Sequence, residues 1–472
     1  MVQFHTVVPL LFKGYALLFP EALLILAAFW ALFATHLPGR DRGASIVAAV
    51  LVTVAGLITA FTAAGTALFG AKLLATTDTR FGGVALCALA LIWLIWTATD
   101  GKGRTAEAVA LVCLSLTGAL LAIQAADLII LLLSLELSAM PIYVLIGYRR
   151  RRKRGLEGAL KYFLLSMLTS LFLFYGASFA FGLVGTTSYA GLLNLPAEPL
   201  AAVVLIFMFV GILAKMSVAP FHFWAPDAYE GAQPWSVAFA ATVPKVAASF
   251  VLVRLIAMLQ GQADLLKWAL LIAAVLSMLI GSLGALTQTD VRRMMAYSGV
   301  VNMGYVLVAL GAAGTVVAGE SLYFALFFTV AYALPTMGIL LICASEGSKV
   351  SDLAGLSKRR PVAAGALAVS ALSLVGVPPL MGFFGKFFIF LSGVASKLLP
   401  FVIIMVVFSV VSAFYYLRLI KAAFFDAPAG EEPEKPRASL GAELAVLLCA
   451  LLTFGGGLAS GLIMAWIISA RY

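Results

Sequence analysis

Hydrophobic residues along this chain do not recur at the three-to-four spacing of a helix lying on a soluble core. They fill whole stretches, and polar residues gather in the gaps. The stretches fall at residues 15–35, 44–70, 83–99, 106–122, 125–148, 158–185, 200–230, 235–259, 265–287, 291–311, 319–344, 362–396, 400–425 and 440–468. At ~1.5 Å per residue, about 20 apolar residues cross a ~30 Å hydrocarbon layer. The pattern predicts an all-α polytopic membrane protein with about 14 transmembrane helices. The first stretch lacks a small-residue cleavage site and further spans follow it, so it reads as a retained helix rather than a signal peptide.

Two spans are interrupted. The seventh carries Pro220 within GILAKMSVAPFHFWAPDAYEG, and the twelfth carries Pro378 and Pro379 within LVGVPPLMGFFGKFFIF. A mid-membrane proline removes a backbone donor, and such breaks survive only where protein or an aqueous cavity satisfies the freed groups. Paired interrupted helices point to the ion or substrate site of an inverted-repeat transporter. Pro220 and Pro378 are 158 residues apart. Spans four to six begin at 106, 125 and 158, and spans nine to eleven at 265, 291 and 319, offsets of 159, 166 and 161. Five spans displaced by five reverse their orientation, so two inverted five-helix repeats with broken helices 7 and 12 are expected. The chain then divides into residues 1–104 (helices 1–3), 105–260 (first repeat, helices 4–8), 261–426 (second repeat, helices 9–13) and 427–472 (an inner loop and helix 14).

Composition agrees: of 472 residues 63% are hydrophobic and 11% charged, with mean hydropathy +1.09, which leaves no room for a separate soluble domain. A net charge of +10 invites a nucleic-acid reading, but here position decides. With the amino terminus outside, the inner loops hold 19 of the 31 lysines and arginines and the outer loops six. The opposite orientation reverses that ratio, so both termini are expected on the periplasmic side. Six of the inner bases form the run Arg149–Arg154, which anchors topology and suits anionic lipid headgroups rather than nucleic acid. Cys87, Cys113, Cys343 and Cys449 lie far apart in apolar segments without metal-site spacing. No P-loop, dinucleotide fingerprint or cluster-binding cysteine set is present, which places redox chemistry and nucleotide hydrolysis on other chains.

Six basic residues remain inside spans: Lys161, Lys215, Lys245, Arg254, Lys386 and Arg418. Lys161, Arg254 and Arg418 lie near span ends and can snorkel. The others cannot. Glu136 sits about 16–18 Å from either end of its span at ~1.5 Å per residue. Lys245 is ten residues into the eighth span, Lys215 five residues before Pro220 and Lys386 eight after Pro378. A charge at the bilayer centre costs ~2.5–3.5 kcal/mol on insertion scales, so such residues mark function by default. A lysine can release its proton when a partner moves away, whereas arginine does not. Glu136, Lys215, Lys245 and Lys386 are therefore the candidate proton-translocation set. A static Glu136–Lys215 pair joining helices is the competing reading of those two, and it leaves two lysines unexplained. His222, beside the break, and Asp227 and Glu230, near its inner end, are candidates for proton access or relay, with a packing histidine and helix-capping acids as the alternatives. His5 and His36 lie in loops without a role, and no metal site is expected.

The segments AKMSVAPFHFWAPDAYEGAQP, TQTDVRRMMAYSGVVNMGY, SDLAGLSKRRP and VGVPPLMGFFGKFFIF, in that order, make the sequence resemble the antiporter-like membrane subunits of respiratory complex I, NADH-quinone oxidoreductase. The similarity runs over most of the chain. The LSLELSAMPIYVLIGY form of span five, a lysine at Lys386 where another type has glutamate, and an end after span fourteen point to one branch of that family. The full set of first helices is what a bacterial version would carry.

The resemblance implies a proton-translocating subunit in a bacterial inner membrane. Glu136 and Lys215 would be the paired input side, Lys245 the connection and Lys386 the lysine facing the output path. It also implies no cofactor on this chain, with NAD, FMN, iron–sulfur clusters and quinone on partner subunits. The neighbours would be other membrane-arm subunits of the K and M types. One departure stands in span ten, where many relatives read S-x-x-S-H-x-G-Y and this chain reads SGVVNMGY. Asn302 replaces the histidine and cannot titrate, so any relay there falls to water or another residue. The alternative reading is a cation/proton antiporter subunit of the multi-subunit sodium–proton type, which shares fold and motifs.

Overall fold

The computed structural model describes residues 14–36, 40–99, 106–149, 153–196, 199–259, 263–314, 318–427 and 439–468. His5, Lys13, Lys102, Arg104, Arg150, Arg151, Arg152, Lys435, Arg437 and Arg471 lie outside the described residues, as does the side chain of Arg40. The charge count that orients the chain rests partly on them.

The helices run α1 Phe19–Ala34, α2 Arg40–Phe61, α3 Thr77–Thr99, α4 Ala106–Gln124, α5 Leu128–Ile146, α6 Lys153–Val184 and α7 Pro199–Lys215. After the first break come α8 Trp224–Gly231, α9 Pro234–Ala240, α10 Val243–Met258, α11 Ala263–Leu286, α12 Val291–Gly311 and α13 Ala318–Glu346. The chain ends with α14 Pro361–Val375, α15 Met381–Ala395, α16 Leu399–Phe424, α17 Leu440–Leu458 and α18 Ser460–Ile468. Among the described residues, 12 helical stretches are long and apolar enough to cross a membrane, and three shorter apolar helices, α7, α14 and α15, flank the breaks.

Three details depart from the hydropathy reading. The second span was expected to reach residue 70, but α2 stops at Phe61. Positive φ at Gly65 (84°) and Gly70 (66°) turns the chain into a two-stranded antiparallel ribbon, β1 Ala67–Leu68 with β2 Leu73–Leu74. The eighth span is interrupted between α9 and α10, around Ala241 and Thr242. The fourteenth is divided between α17 and α18 at Ala459.

Burial runs opposite to the rule for soluble proteins. Three stretches are innermost: Pro234–Met258 and α12 are each 94% buried, and the membrane stretch of α13 wholly so. The periphery is apolar. Leu160, Leu164 and Leu168 of α6, and Ile403, Val407 and Phe414 of α16, are exposed along single helical faces. Such faces are stable only against hydrocarbon, where all backbone groups must be paired internally. A bundle built this way keeps its few charged groups in its centre, where other side chains can solvate them.

Candidate functional site

Asp127 starts α5 by accepting hydrogen bonds at Oδ1 from the Ile129 and Ile130 amides, at 2.9 and 3.4 Å. Nine residues further along the helix, Glu136 faces α6 and α7. Its Oε1 accepts from Lys215 Nζ at 3.0 Å and from Ser170 Oγ at 2.6 Å. The two charged side chains are only 13% and 8% exposed, and Glu136 Oε2 is buried with no hydrogen-bond partner among the described residues. The depth argument from sequence placed these two residues at similar level; the structure brings them into contact.

Lys215 is the last residue of α7, at the end of a helix whose dipole favours a cation. Ser217 takes a positive φ of 60°, and the Val218 amide returns to the Leu213 carbonyl at 2.9 Å, closing the helix as a Schellman cap. The backbone freed by the break finds partners. The Ala219 amide donates to Ser277 Oγ at 3.0 Å, and Trp224 Nε1 donates to the Ala214 carbonyl at 3.1 Å. The second break ends likewise: Gly376 has φ 99°, a conformation that favours glycine, and the Val377 amide returns to Leu372 at 3.0 Å.

Lys386, in the second turn of α15, reaches back to this second helix end. Its ammonium donates to the Leu374 and Val375 carbonyls at 2.8 and 2.9 Å and to Ser409 Oγ at 2.8 Å. It is a buried amine that caps the end of a broken helix. Arg254 and Arg418 do the same nearer the surfaces, donating to Ile123 at the end of α4 and to Leu286 at the end of α11. Three of the basic residues inside spans thus satisfy helix C-termini.

Lys245 differs. It is 1% exposed, sits just after the interruption of the eighth span, and its Nζ has no hydrogen-bond partner among the described residues. It lies instead over the rings of Tyr229 and Tyr332, at 5.8 and 5.9 Å. The space for it comes from Gly299 of α12, where a Cβ would collide with Lys245 Nζ and the Tyr332 hydroxyl.

The other expected residues separate into two groups. His222 lies in the first break, 4% exposed, its Nδ1 without a hydrogen-bond partner among the described residues. Asp227 and Glu230 are held in an ion network at the end of α8. Asp227 accepts from Lys161 and Arg293, both at 2.8 Å, and Glu230 from Arg293 at 2.7 Å. A cavity of ≈ 200 Å³ lies there, lined by Arg154, Glu157, Lys161, Asp227 and Glu230. Among the described residues, neither acid forms an ion pair with Lys215 or a hydrogen bond with Glu136.

The sequence reading named Asn302 but passed over the hydroxyls around it. Asn302 Nδ2 donates to the Ser298 carbonyl at 2.8 Å and to the Tyr416 hydroxyl at 3.2 Å. Ser298 Oγ and the Tyr416 hydroxyl share a hydrogen bond of 2.5 Å. The position where many relatives were expected to carry histidine is therefore filled by a side chain that holds a tyrosine.

Residues 125–412 match the family described as NADH:quinone oxidoreductase/Mrp antiporter, transmembrane. The chain is 39% identical over 475 residues to NADH-quinone oxidoreductase subunit N 1 of Acidiphilium cryptum, covering 96% of this chain and 94% of that one. Its structure is similar to a chain of respiratory complex I from Thermus thermophilus, solved with bound aureothin, at TM-score 0.81 and 30% identity, covering 94% and 98% of the two chains. A chain of the Mrp complex from Dietzia sp. DQ12-45-1b shares the fold at TM-score 0.83 and 20% identity, with 97% of each chain covered. This chain belongs to the NADH:quinone oxidoreductase/Mrp antiporter family, in its branch of NADH-quinone oxidoreductase N subunits.

Proposed function

We propose that this chain is a proton-translocating subunit in the membrane arm of a bacterial NADH-quinone oxidoreductase, embedded in the inner membrane. The observation that carries the reading is the buried Glu136–Lys215 pair, 3.0 Å long, set at the end of a broken helix. Oxidation of NADH and reduction of quinone take place on other subunits, which hold NAD, FMN and the iron–sulfur clusters. The free energy released there alters the pair. When it opens, the Lys215 charge loses its carboxylate and a proton leaves toward Lys245, which has no hydrogen bond of its own to give up. From Lys245 it passes to Lys386. His222, within the break, is a candidate for relay to Lys215, and Asp227 and Glu230 collect protons from the inner side.

In this reading the broken helices are the seventh and twelfth of fourteen spans, related as inverted repeats, with both termini periplasmic. Support comes from the like caps at Ser217 and Gly376 and from the charge asymmetry of the loops.

Purification from native membranes with identification of the co-purifying subunits tests the assignment. Redox subunits together with K-type and M-type membrane subunits are the expected outcome. Small antiporter subunits, with sodium-dependent transport and no redox partner, would overturn it in favour of the multi-subunit antiporter.

Gly299→Ala tests the place of Lys245 without touching its amine. A methyl there must displace Nζ, and overpacking of this kind costs ~1–3 kcal/mol. The complex is expected to assemble with lower thermal stability and several-fold slower proton pumping. Pumping at the unmodified rate would show that transfer does not depend on where Lys245 sits.

A further inference from the structure

Two helices, α12 and α16, each carry a stripe of neutral polar side chains. On α12 it is Ser298, Asn302 and Tyr305, and on α16 it is Ser409, Ser412 and Tyr416. Spacings of three and four residues place each set on a single helical face. The two faces meet. Tyr416 bonds Ser298 and Asn302, while the Tyr305 hydroxyl lies beside Ser412 and Ser409. At one end Ser409 accepts a hydrogen bond from Lys386. At the other, Ser298 is the neighbour in sequence of Gly299, against which Lys245 Nζ and the Tyr332 hydroxyl both pack, and Tyr332 lies within electrostatic reach of Tyr416.

We propose that the Tyr416 hydroxyl carries protons between Lys245 and Lys386, with Asn302 and Ser298 orienting it. The inference rests on the proton-translocation reading above. The Ser298 carbonyl can only accept, so it sets the Asn302 amide with Nδ2 toward it, and the same Nδ2 then donates to the Tyr416 oxygen. That oxygen accepts from Asn302, and in its bond with Ser298 Oγ either oxygen can be the donor. A proton arriving on the phenol oxygen through Ser298 Oγ, on the Lys245 side, is matched by release of the phenol proton toward the Ser412 and Tyr305 hydroxyls, on the Lys386 side. One proton enters and one leaves, no ion is stored on the ring, and the hydroxyl turns back before the next transfer. An asparagine that cannot titrate is no obstacle here, because its part is to hold the group that passes the proton.

The rival is that these hydroxyls only fasten α12 to α16, as polar groups between membrane helices commonly do. Tyr416→Phe separates the two, since the ring and its packing 4.5 Å from Tyr415 are kept and only the oxygen is lost. In the assembled complex in native membranes, we expect unchanged abundance with coupled quinone reduction and proton pumping down about tenfold or more. Asn302→His in the Tyr416→Phe background is expected to restore part of the rate, because an imidazole both donates and accepts. If Tyr416→Phe prevents assembly, Ser298→Ala decides the matter, with a fall in pumping expected. Unmodified pumping in the assembled Tyr416→Phe or Ser298→Ala complex, alongside loss of pumping in Lys245→Ala, overturns the tyrosine bridge and leaves the wider reading standing. Unmodified pumping in Lys245→Ala overturns the wider reading itself.

Discussion

Lys215→Ala is expected to abolish proton-coupled turnover, and the companion double variant Glu136→Gln with Lys215→Met to recover assembly without recovering transport. The physical reason lies in the burial of the pair. Glu136 and Lys215 are 13% and 8% exposed, and Glu136 has only Ser170 as a second hydrogen-bond donor. Removing one member of such a pair leaves a buried charge without compensation, at a cost of ~3–5 kcal/mol. The single variant therefore loses both the proton carrier and part of the stability of the α5–α6–α7 packing. The double variant removes both charges and keeps comparable volume, which relieves the cost. If the pair is only a static tie between helices, the double variant pumps as well as the unmodified complex. If it is the input switch, the complex assembles to normal abundance and pumps nothing. Proton uptake by inverted vesicles, measured beside the amount of assembled complex, distinguishes the two. Full pumping in either variant sinks the switch.

The main spans were legible because membrane crossing demands long apolar runs, and the two breaks because proline removes a donor the backbone needs. The Glu136–Lys215 contact was legible for a related reason: a charge deep in hydrocarbon requires a partner, and few residues could supply one. Other features left no such mark. Proline at the start of a helix breaks nothing, so Pro244 did not announce the interruption that sets Lys245 at the beginning of α10. Backbone carbonyls are the same in every residue. The capping of α14 by Lys386, of α4 by Arg254 and of α11 by Arg418 could therefore not be read from side chains. Ser298 and Tyr416, around the Asn302 that had been noticed, were passed over because neutral hydroxyls carry no large burial cost to draw attention. Their signal was periodic: two stripes of neutral polar residues at helical spacing, one on α12 and one on α16. Attention to charge alone found the ends of the proposed route and missed its middle.

The capping contact also bears on what Lys386 does, since a cation that only seals a helix end and a cation that releases a proton differ under one substitution. Lys386→Arg keeps a positive charge with several donors for the Leu374 and Val375 carbonyls and Ser409, but guanidinium does not deprotonate in proteins. If sealing is the whole task, the arginine complex assembles and pumps at close to the unmodified rate. If Lys386 passes protons onward, assembly is retained and pumping falls by about tenfold or more. Lys386→Met supplies the other half of the comparison. It leaves the Leu374 and Val375 carbonyls without their buried partner, at ~1–3 kcal/mol for each unsatisfied group, so assembly itself should suffer. The expected order is thus methionine below arginine in abundance of the complex, with both far below the unmodified protein in pumping per assembled complex. The structure gives this order a cause. Two of the ammonium's three hydrogen bonds hold the end of α14 and the third goes to Ser409 Oγ, so a neutral amine, which keeps two N–H groups, can still donate to both carbonyls while the Ser409 hydroxyl turns to donate to Nζ. Loss of the proton then reverses the bond with Ser409 and leaves the second break sealed, and an arginine, which cannot take that step, keeps Ser409 as an acceptor.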